Sequence, residues 1–254
     1  MKLIDNHAHL NFQKFDGRRE EVIEECRDKL KAVINAGTSP WQDGEGLELG
    51  KRHPNFIYPC IGMHPTKLDR VDQEDLESIK ERIREEKERI VAVGEIGLDY
   101  YHAKERGKRK RQEEFFKPLL ELGEEMGKPV VIHSRDAEKR AVEVLEDYSP
   151  AEVIMHCFNG NLDLVEESLD REYWISISTQ VLYSNRVQNI AEKTPVDRML
   201  LETDSPFLYP GDEANKPWKV HESLEKIAEI KGMAEKELGR QINRNTERAY
   251  RTEF

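Results

Sequence analysis

Residues 90–99 read IVAVGEIGLD. A short apolar stretch, 90–94, runs straight into a carboxylate, Glu95, set between glycines, and a second acid, Asp99, closes the segment. An apolar run this short suits a strand buried on both faces, as in a parallel sheet. The same construction recurs on either side, with apolar runs at 2–5, 32–36, 56–61, 129–132, 152–155, 173–177 and 198–201. Amphipathic stretches separate the runs. In 73–90, Leu76, Ile79, Ile83 and Ile90 keep one helical face while Glu and Arg cover the rest. In 111–127, Phe115, Phe116, Leu119, Leu122 and Met126 form the apolar face, and Gly127-Lys128-Pro129 is a stop signal. Eight strands alternating with helices over 254 residues predict an α/β fold, a (β/α)8 TIM barrel forming a single domain over residues 1–254. A doubly wound open sheet is the rival that periodicity alone does not separate. No linker, low-complexity tract or short repeat marks a second domain.

Composition narrows the function classes. The chain carries 51 acids against 40 bases, a net charge of −11. That balance excludes a basic coat for nucleic acid but not a local basic patch. No apolar run approaches the ~20 residues of a membrane span. The opening MKLIDNHAHL has neither the apolar stretch nor the small-residue cleavage site of a signal peptide. Three cysteines, Cys26, Cys60 and Cys157, make no paired framework. The expectation is a cytoplasmic protein in a reducing compartment, with no membrane association and no protein partner.

The chemistry gathers where the apolar runs end. The endings are His7-Ala8-His9, Gly62-Met63-His64-Pro65, Glu95 with Asp99, His133-Ser134-Arg135, His156-Cys157-Phe158, and Glu202-Thr203-Asp204-Ser205-Pro206. In a barrel all of these lie at the C-terminal mouth, where active sites are built. Five of the eight histidines fall there. His7 and His9 are two apart and point to the same side of a regular strand. Imidazole and carboxylate donors suit Zn, Mn, Ni or Fe, and carboxylate tolerates Mg. His7, His9, His133, His156, Glu95 and Asp204 are too many for one tetrahedral ion; they suit two ions about 3.5–4 Å apart, with Glu95 able to bridge. A structural, hydrogen-bonded role is the alternative for any single histidine, and it stands for His53, His102 and His221. For the four ligand candidates it requires four coincidences. His64 is open between a loop residue fixed by Pro65 and a contact to substrate phosphate. Arg135 is open between a bidentate phosphate clamp and an ion pair with Asp136 or a helix acid. Glu202 is expected to hold a ligand histidine rather than a metal. Tyr100 and Tyr101 either pack beside the mouth or stack on a base.

The strings DNHAHL, GMHP, VGEIGLDYY, VVIHSRDA, MHCFNG and LLETDSPFL, in this order, resemble the TatD family of metal-dependent hydrolases. The likeness runs from Lys2 to Asn245-Thr246-Glu247-Arg248 and takes in Asn215-Lys216-Pro217. It implies a TIM-barrel phosphoesterase of the amidohydrolase superfamily, usually a deoxyribonuclease acting on DNA. By match of motif, one divalent ion takes His7, His9, Glu95 and Asp204, and a second takes Glu95, His133 and His156. The ions are Mg, Mn or Zn. The mechanism implied is hydrolysis by a metal-bound hydroxide, available because coordination lowers the pKa of water to ~7. Asp204 then serves as the proton acceptor and Glu95 as a catalytic ligand. One departure from the family pattern is KERGKRKR at 104–111, which is longer and more basic. It is read as a segment over the active face, with Lys108, Arg109, Lys110 and Arg111 touching nucleic-acid backbone; a solvated surface is the alternative. A second activity is compatible with the same residues: hydrolysis of an ester or amide such as an aminoacyl-tRNA ester or a cyclic amide.

Overall fold

A computed structural model describes residues 1–211 and 214–254. The strands are β1 (Leu3–Ala8), β2 (Leu30–Ala36), β3 (Ile57–Ile61), β4 (Ala92–Asp99), β5 (Val130–Arg135), β6 (Val153–Met155), β7 (Trp174–Ile177) and β8 (Met199–Leu201). Each pairs in parallel with the next in one eight-stranded sheet, in chain order. The helices α1 (Arg19–Lys29), α2 (Pro40–Arg52), α3 (Gln73–Glu85), α4 (Arg106–Met126), α5 (Glu138–Leu145), α6 (Leu162–Asp170), α7 (Asn185–Lys193), α8 (Val220–Lys231) and α9 (Glu235–Tyr250) surround it. This is the (β/α)8 barrel, not the open sheet, because β8 returns to β1. Among the described residues no helix is long and apolar enough to cross a membrane.

The seam between β8 and β1 is stitched largely by side chains. Among the described residues one backbone bridge, Ala8 to Ser205, spans it. The Asn6 amide donates to the Leu201 carbonyl at 2.6 Å and to Ser176 Oγ at 2.9 Å. Thr203 donates its N–H and hydroxyl to the Asp5 carboxylate at 2.9 and 2.6 Å. Beyond β8, Asp204 N donates to the His7 carbonyl at 2.9 Å, and His9 N to the Ser205 carbonyl at 2.7 Å. The seam thus fixes Asp204 beside His7 and His9.

Two layers of core set which end of the barrel is open. Outside the sheet, Leu76, Ile79 and Ile83 of α3 and Phe115, Phe116 and Leu119 of α4 face the strands. Truncating such a fully enclosed leucine typically costs about 2–5 kcal/mol. Inside, Ile4, Ile34, Cys60, Val131, Ile154 and Leu200 fill the lower half, and Tyr250 of α9 plugs the base with its hydroxyl on the Asn6 carbonyl at 2.9 Å. The lower half is therefore filled mainly by apolar side chains, and the histidines and acids gather in the upper, C-terminal half.

Local irregularities aim the functional groups. On β1, Ile4 and Asn6 face inward, yet His7 and His9 do too, because the register with β2 shifts between Asp5 and Ala8. On β4, the shift between Val93 and Ile96 turns Glu95 inward while Val93 and Ile96 stay in the outer core. Such irregularities commonly re-aim a side chain beside an active site. Gly97, at φ +141°, lies so close to β5 that a Cβ would collide with the His133 carbonyl, so glycine is required there.

Candidate active site

The six residues expected as metal ligands converge at the upper mouth. Glu95 lies at the centre and is 1% exposed. Five imidazole nitrogens surround its carboxylate: His133 Nδ1 at 2.7 Å, His64 Nε2 at 3.3 Å, His7 Nε2 at 3.5 Å, and His9 and His156 Nε2 at 3.6 Å each. Asp204 Oδ1 lies 3.1 Å from His9 Nε2, 3.8 Å from His156 Nε2 and 3.9 Å from His7 Nε2.

The outer nitrogens decide what the inner ones can do. His9 Nδ1 is 3.0 Å from the Ala36 carbonyl, His156 Nδ1 is 3.0 Å from Glu202 Oε1, and His133 Nε2 is 3.2 Å from Asp99 Oδ2. An acceptor at the outer nitrogen assigns the proton there and leaves a lone pair on the inner one. Lone pairs of His9 and His133 are therefore aimed at the two carboxylates, while the buried His156 Nδ1 faces Glu202 without an aligned hydrogen bond. Lone pairs facing carboxylates repel unless a second proton or a cation lies between them. Burial lowers the His133 pKa, but Asp99 and Glu95 raise it further, to about 9. Burial likewise opposes the charge on His156, and Glu202, Glu95 and Asp204 outweigh it, raising the pKa to about 10. Burial pushes Glu95 up, but His64, His156 and His133 hold it well below the usual carboxylate range. His7, His9 and Glu95 form one group close enough to share an ion, and His64, Glu95 and His133 another. The donor set fits divalent cations.

His64 differs from the other four. Its Nδ1 accepts from Thr66 N at 3.1 Å, which places its own proton on Nε2, pointing at Glu95. It offers a donor rather than a lone pair, and burial keeps it neutral, with its pKa lowered to about 4 despite the nearby Glu95 charge. Glu202 is fully buried, accepting from Cys157 N at 2.6 Å and Ser176 Oγ at 2.5 Å, and with His7 and His156 it makes a third group close enough to share an ion. Asp99, named among the strand-end acids but given no role, joins half-buried His133 to surface His102, whose Nδ1 is 2.9 Å from Asp99 Oδ2.

Arg135 lines the cleft, and among the described residues it pairs with neither Asp136 nor a helix acid. Its guanidinium lies over the Tyr101 ring at 4.0 Å, while Asp136 has Lys104 at 3.9 Å. The basic segment is mostly helix and lies beside the cleft rather than in it. Helix α4 begins at Arg106, so most of 104–111 is helix rather than a loop over the mouth, and none of Lys108, Arg109, Lys110 and Arg111 lines the active cleft. Arg111 donates to the carbonyls of Leu68, at 3.1 Å, and Val71. Arg109 donates to the Ala103 carbonyl at 2.9 Å. Lys108 pairs with Asp69 at 3.4 Å and Lys110 with Glu114 at 3.5 Å. Arg111 and Arg109 tie the start of α4 to neighbouring backbone.

The active cleft encloses about 290 Å³. Besides the histidines and acids, its walls include Phe12, Thr38, Lys67 and Phe207, none of which the sequence singled out.

A family model described as TatD related DNase matches residues 4–251. The chain belongs to this family. An uncharacterized metal-dependent hydrolase of Bacillus subtilis, YabD, is 34% identical over 98% of this chain and 99% of its own length. The human deoxyribonuclease TATDN3 is 29% identical over 93% of this chain and 90% of its own length. Among solved structures, the TatD homolog YjjV of Escherichia coli matches 99% of this chain and 98% of its own with a TM-score of 0.91 at 24% identity, which shows a shared fold. The TatD resemblance carried by six short strings thus extends over nearly the whole chain.

Proposed function

We propose that this TatD-family chain is a divalent-metal-dependent hydrolase that cleaves phosphodiester bonds in DNA, acting on single strands or strand ends. The observation that carries the reading is a buried Glu95 ringed by five imidazoles, with the outer nitrogens of His9 and His133 engaged so that their lone pairs point inward. His7, His9, Glu95 and Asp204 would hold one ion, and Glu95, His133 and His156 a second, of Mg, Mn or Zn. Bound there, divalent ions polarise phosphoryl oxygens and make water a competent nucleophile at neutral pH.

The protein's own groups supply the rest. The Asp204 side chain is 14% exposed against 2% for Glu95, so Asp204 is the carboxylate that can reach the attacking water and accept its proton. The Arg135 guanidinium lines the cleft as a donor to a phosphate oxygen, and the His64 Nε2–H, which points at Glu95 in this structure, would turn to one only if it left that carboxylate. Asp99 and Glu202 fix the His133 and His156 rings. DNA is favoured over a small amide by the lining: Phe12 and Phe207 offer ring surface, and Lys67 and Arg135 offer cations.

The test is a substrate panel on chelator-treated protein resupplied with Mg, Mn or Zn. Single-stranded oligonucleotide, duplex DNA and aminoacylated RNA are compared. Metal-dependent cleavage of the single strand is expected. Hydrolysis confined to the aminoacyl ester would replace this reading with the ester alternative.

A further inference from the structure

The chain has eight phenylalanines. Phe15, Phe56, Phe115, Phe116 and Phe158 are buried in the core, and Phe254 packs edge-on against Tyr58 at 4.6 Å. Phe12 and Phe207 do neither. Both are half-buried and line the active cleft, one from the loop after β1 and one from the loop after β8. Their rings lie 5.1 Å apart at 77°, and each is within 6.4 Å of the His9 ring. The hydrolytic step itself uses neither ring.

Two ammonium groups flank the pair. Lys14 Nζ is 5.2 Å from the Phe207 centroid, and Lys67 Nζ is 5.9 Å from the Phe12 centroid. Among the described residues neither lysine has a carboxylate partner, although the chain carries 11 net negative charges. Apolar ring surface left open to water is unfavourable unless something covers it. Half-exposed aromatic rings with unmatched cations beside them form the combination that single-strand binders use, stacking for the base and charge for the backbone. A cation resting on a ring edge or face is held loosely and can turn to a phosphate.

We propose that Phe12 and Phe207 seat the nucleobase of the nucleotide adjoining the scissile phosphodiester, and that Lys14 and Lys67 contact the flanking phosphates of the same strand. The proposal rests on the nuclease reading above. Because both rings adjoin His9, the base they hold belongs to a nucleotide next to the reacting phosphate. Stacking reads no hydrogen-bond pattern, so all four bases are accepted. A base paired and stacked within a duplex cannot present its face, so the seat selects single strands.

The experiment uses the Mn-loaded protein and short single-stranded oligonucleotides that carry one abasic residue on the 5′ or the 3′ side of the cleaved linkage. The intact strand should be cleaved with a kcat/KM about tenfold or more above that of one of the two abasic strands, the range expected for losing one base–aromatic stack. In Phe12→Leu and Phe207→Leu, which keep apolar bulk in place, that ratio should fall towards one. In Lys67→Gln the slope of log KM against log salt should flatten by about 0.7, one phosphate contact on a single strand. Equal cleavage of intact and both abasic strands by the wild type overturns the seat without needing any variant. So does a preference that survives both leucine variants, or one that Tyr101→Leu, the exposed ring under Arg135, abolishes instead. Failure to cut any oligonucleotide with any of the three metals overturns the nuclease reading and the seat together, and is distinct from those outcomes.

Discussion

The barrel has a cleft at each end, and the larger one is chemically quiet. At the N-terminal end a cleft of about 630 Å³ is lined by Trp174, Arg171, Arg198 and Arg248. Its polar groups largely satisfy one another: Arg198 pairs with Glu172 at 2.7 Å, Arg171 with Glu146 and with Glu167 at 3.2 Å, and the Trp174 indole donates to Glu152 at 2.8 Å. The upper cleft has less than half that volume, about 290 Å³, and its groups do not satisfy one another. Imidazole lone pairs and carboxylates face each other there, which is stable only with extra protons or cations between them. Cleft volume reports how loosely loops cover the strand ends. Function shows where the protein leaves donors converging without their counterparts.

Substitutions at the two ends should separate these readings. The largest effect is expected at the centre of the upper cleft. Glu95→Gln removes the charge that all five imidazoles face, and Asp204→Asn removes the proton acceptor while keeping its shape. Each should lower turnover by about 10²–10⁴-fold at saturating metal. Near wild-type turnover in Asp204→Asn would remove it from the mechanism.

Next come the groups that hold the rings. Asp99→Asn and Glu202→Gln should each weaken metal affinity by about 10–100-fold, read by calorimetric titration. Unchanged affinity would mean the outer-nitrogen contacts do not set ring orientation.

A pH effect follows from the same geometry. His133 and His156 have folded pKa values of about 9 and 10, above the ordinary histidine value. A raised folded pKa gives stability that is full below the unfolded value, ~6.5, and is lost as pH rises through the folded one. The metal-free protein should therefore lose melting temperature between pH 7 and 10. The metal-loaded protein should not lose it by this route, because metal replaces the protons. For the same reason, metal binding at neutral pH should release protons and tighten as pH rises. Parallel melting curves for the two forms would contradict the competition.

The smallest effect belongs to the lower cleft. Glu172→Gln breaks an exposed pair with Arg198 and should cost no more than about 1 kcal/mol, with hydrolysis unchanged. A large loss of activity there would mean that the quiet end communicates with the site.

What could be read from sequence follows from what a barrel does with strand ends. His7, His9, His133 and His156 were legible because each follows or ends an apolar run, and a barrel brings all those ends to one mouth. The ends themselves were placed too early on β1 and β4. Polar Asn6 and His7 suggested that β1 stops at residue 5, but the strand runs on to Ala8 because the Asn6 amide is satisfied across the seam by Leu201 and Ser176. The role of Asp99 stayed hidden because its partner, His133, is 34 residues away and only the fold turns that ring towards it. The run at 104–111 misled for a physical reason. Bases at a helix N-terminus oppose the helix dipole, so the start of α4 did not look like one. What compensates there, backbone carbonyls of Ala103, Leu68 and Val71 accepting from Arg109 and Arg111, leaves no trace in composition. Phe12 and Phe207 look like core residues until their half-exposure on the cleft is seen.

The central claim is that Glu95 and the histidines around it form a two-ion hydrolytic centre. The most direct measurement is a Mn titration of chelator-treated protein, with bound ion and hydrolysis of a single-stranded oligonucleotide followed in the same sample. The expected result is two ions per chain, with hydrolysis absent in the stripped protein and restored as the ions bind. Hydrolysis at full rate in the stripped protein, or saturation with no ion bound at Glu95 as judged by an unchanged Glu95→Gln titration, would contradict it.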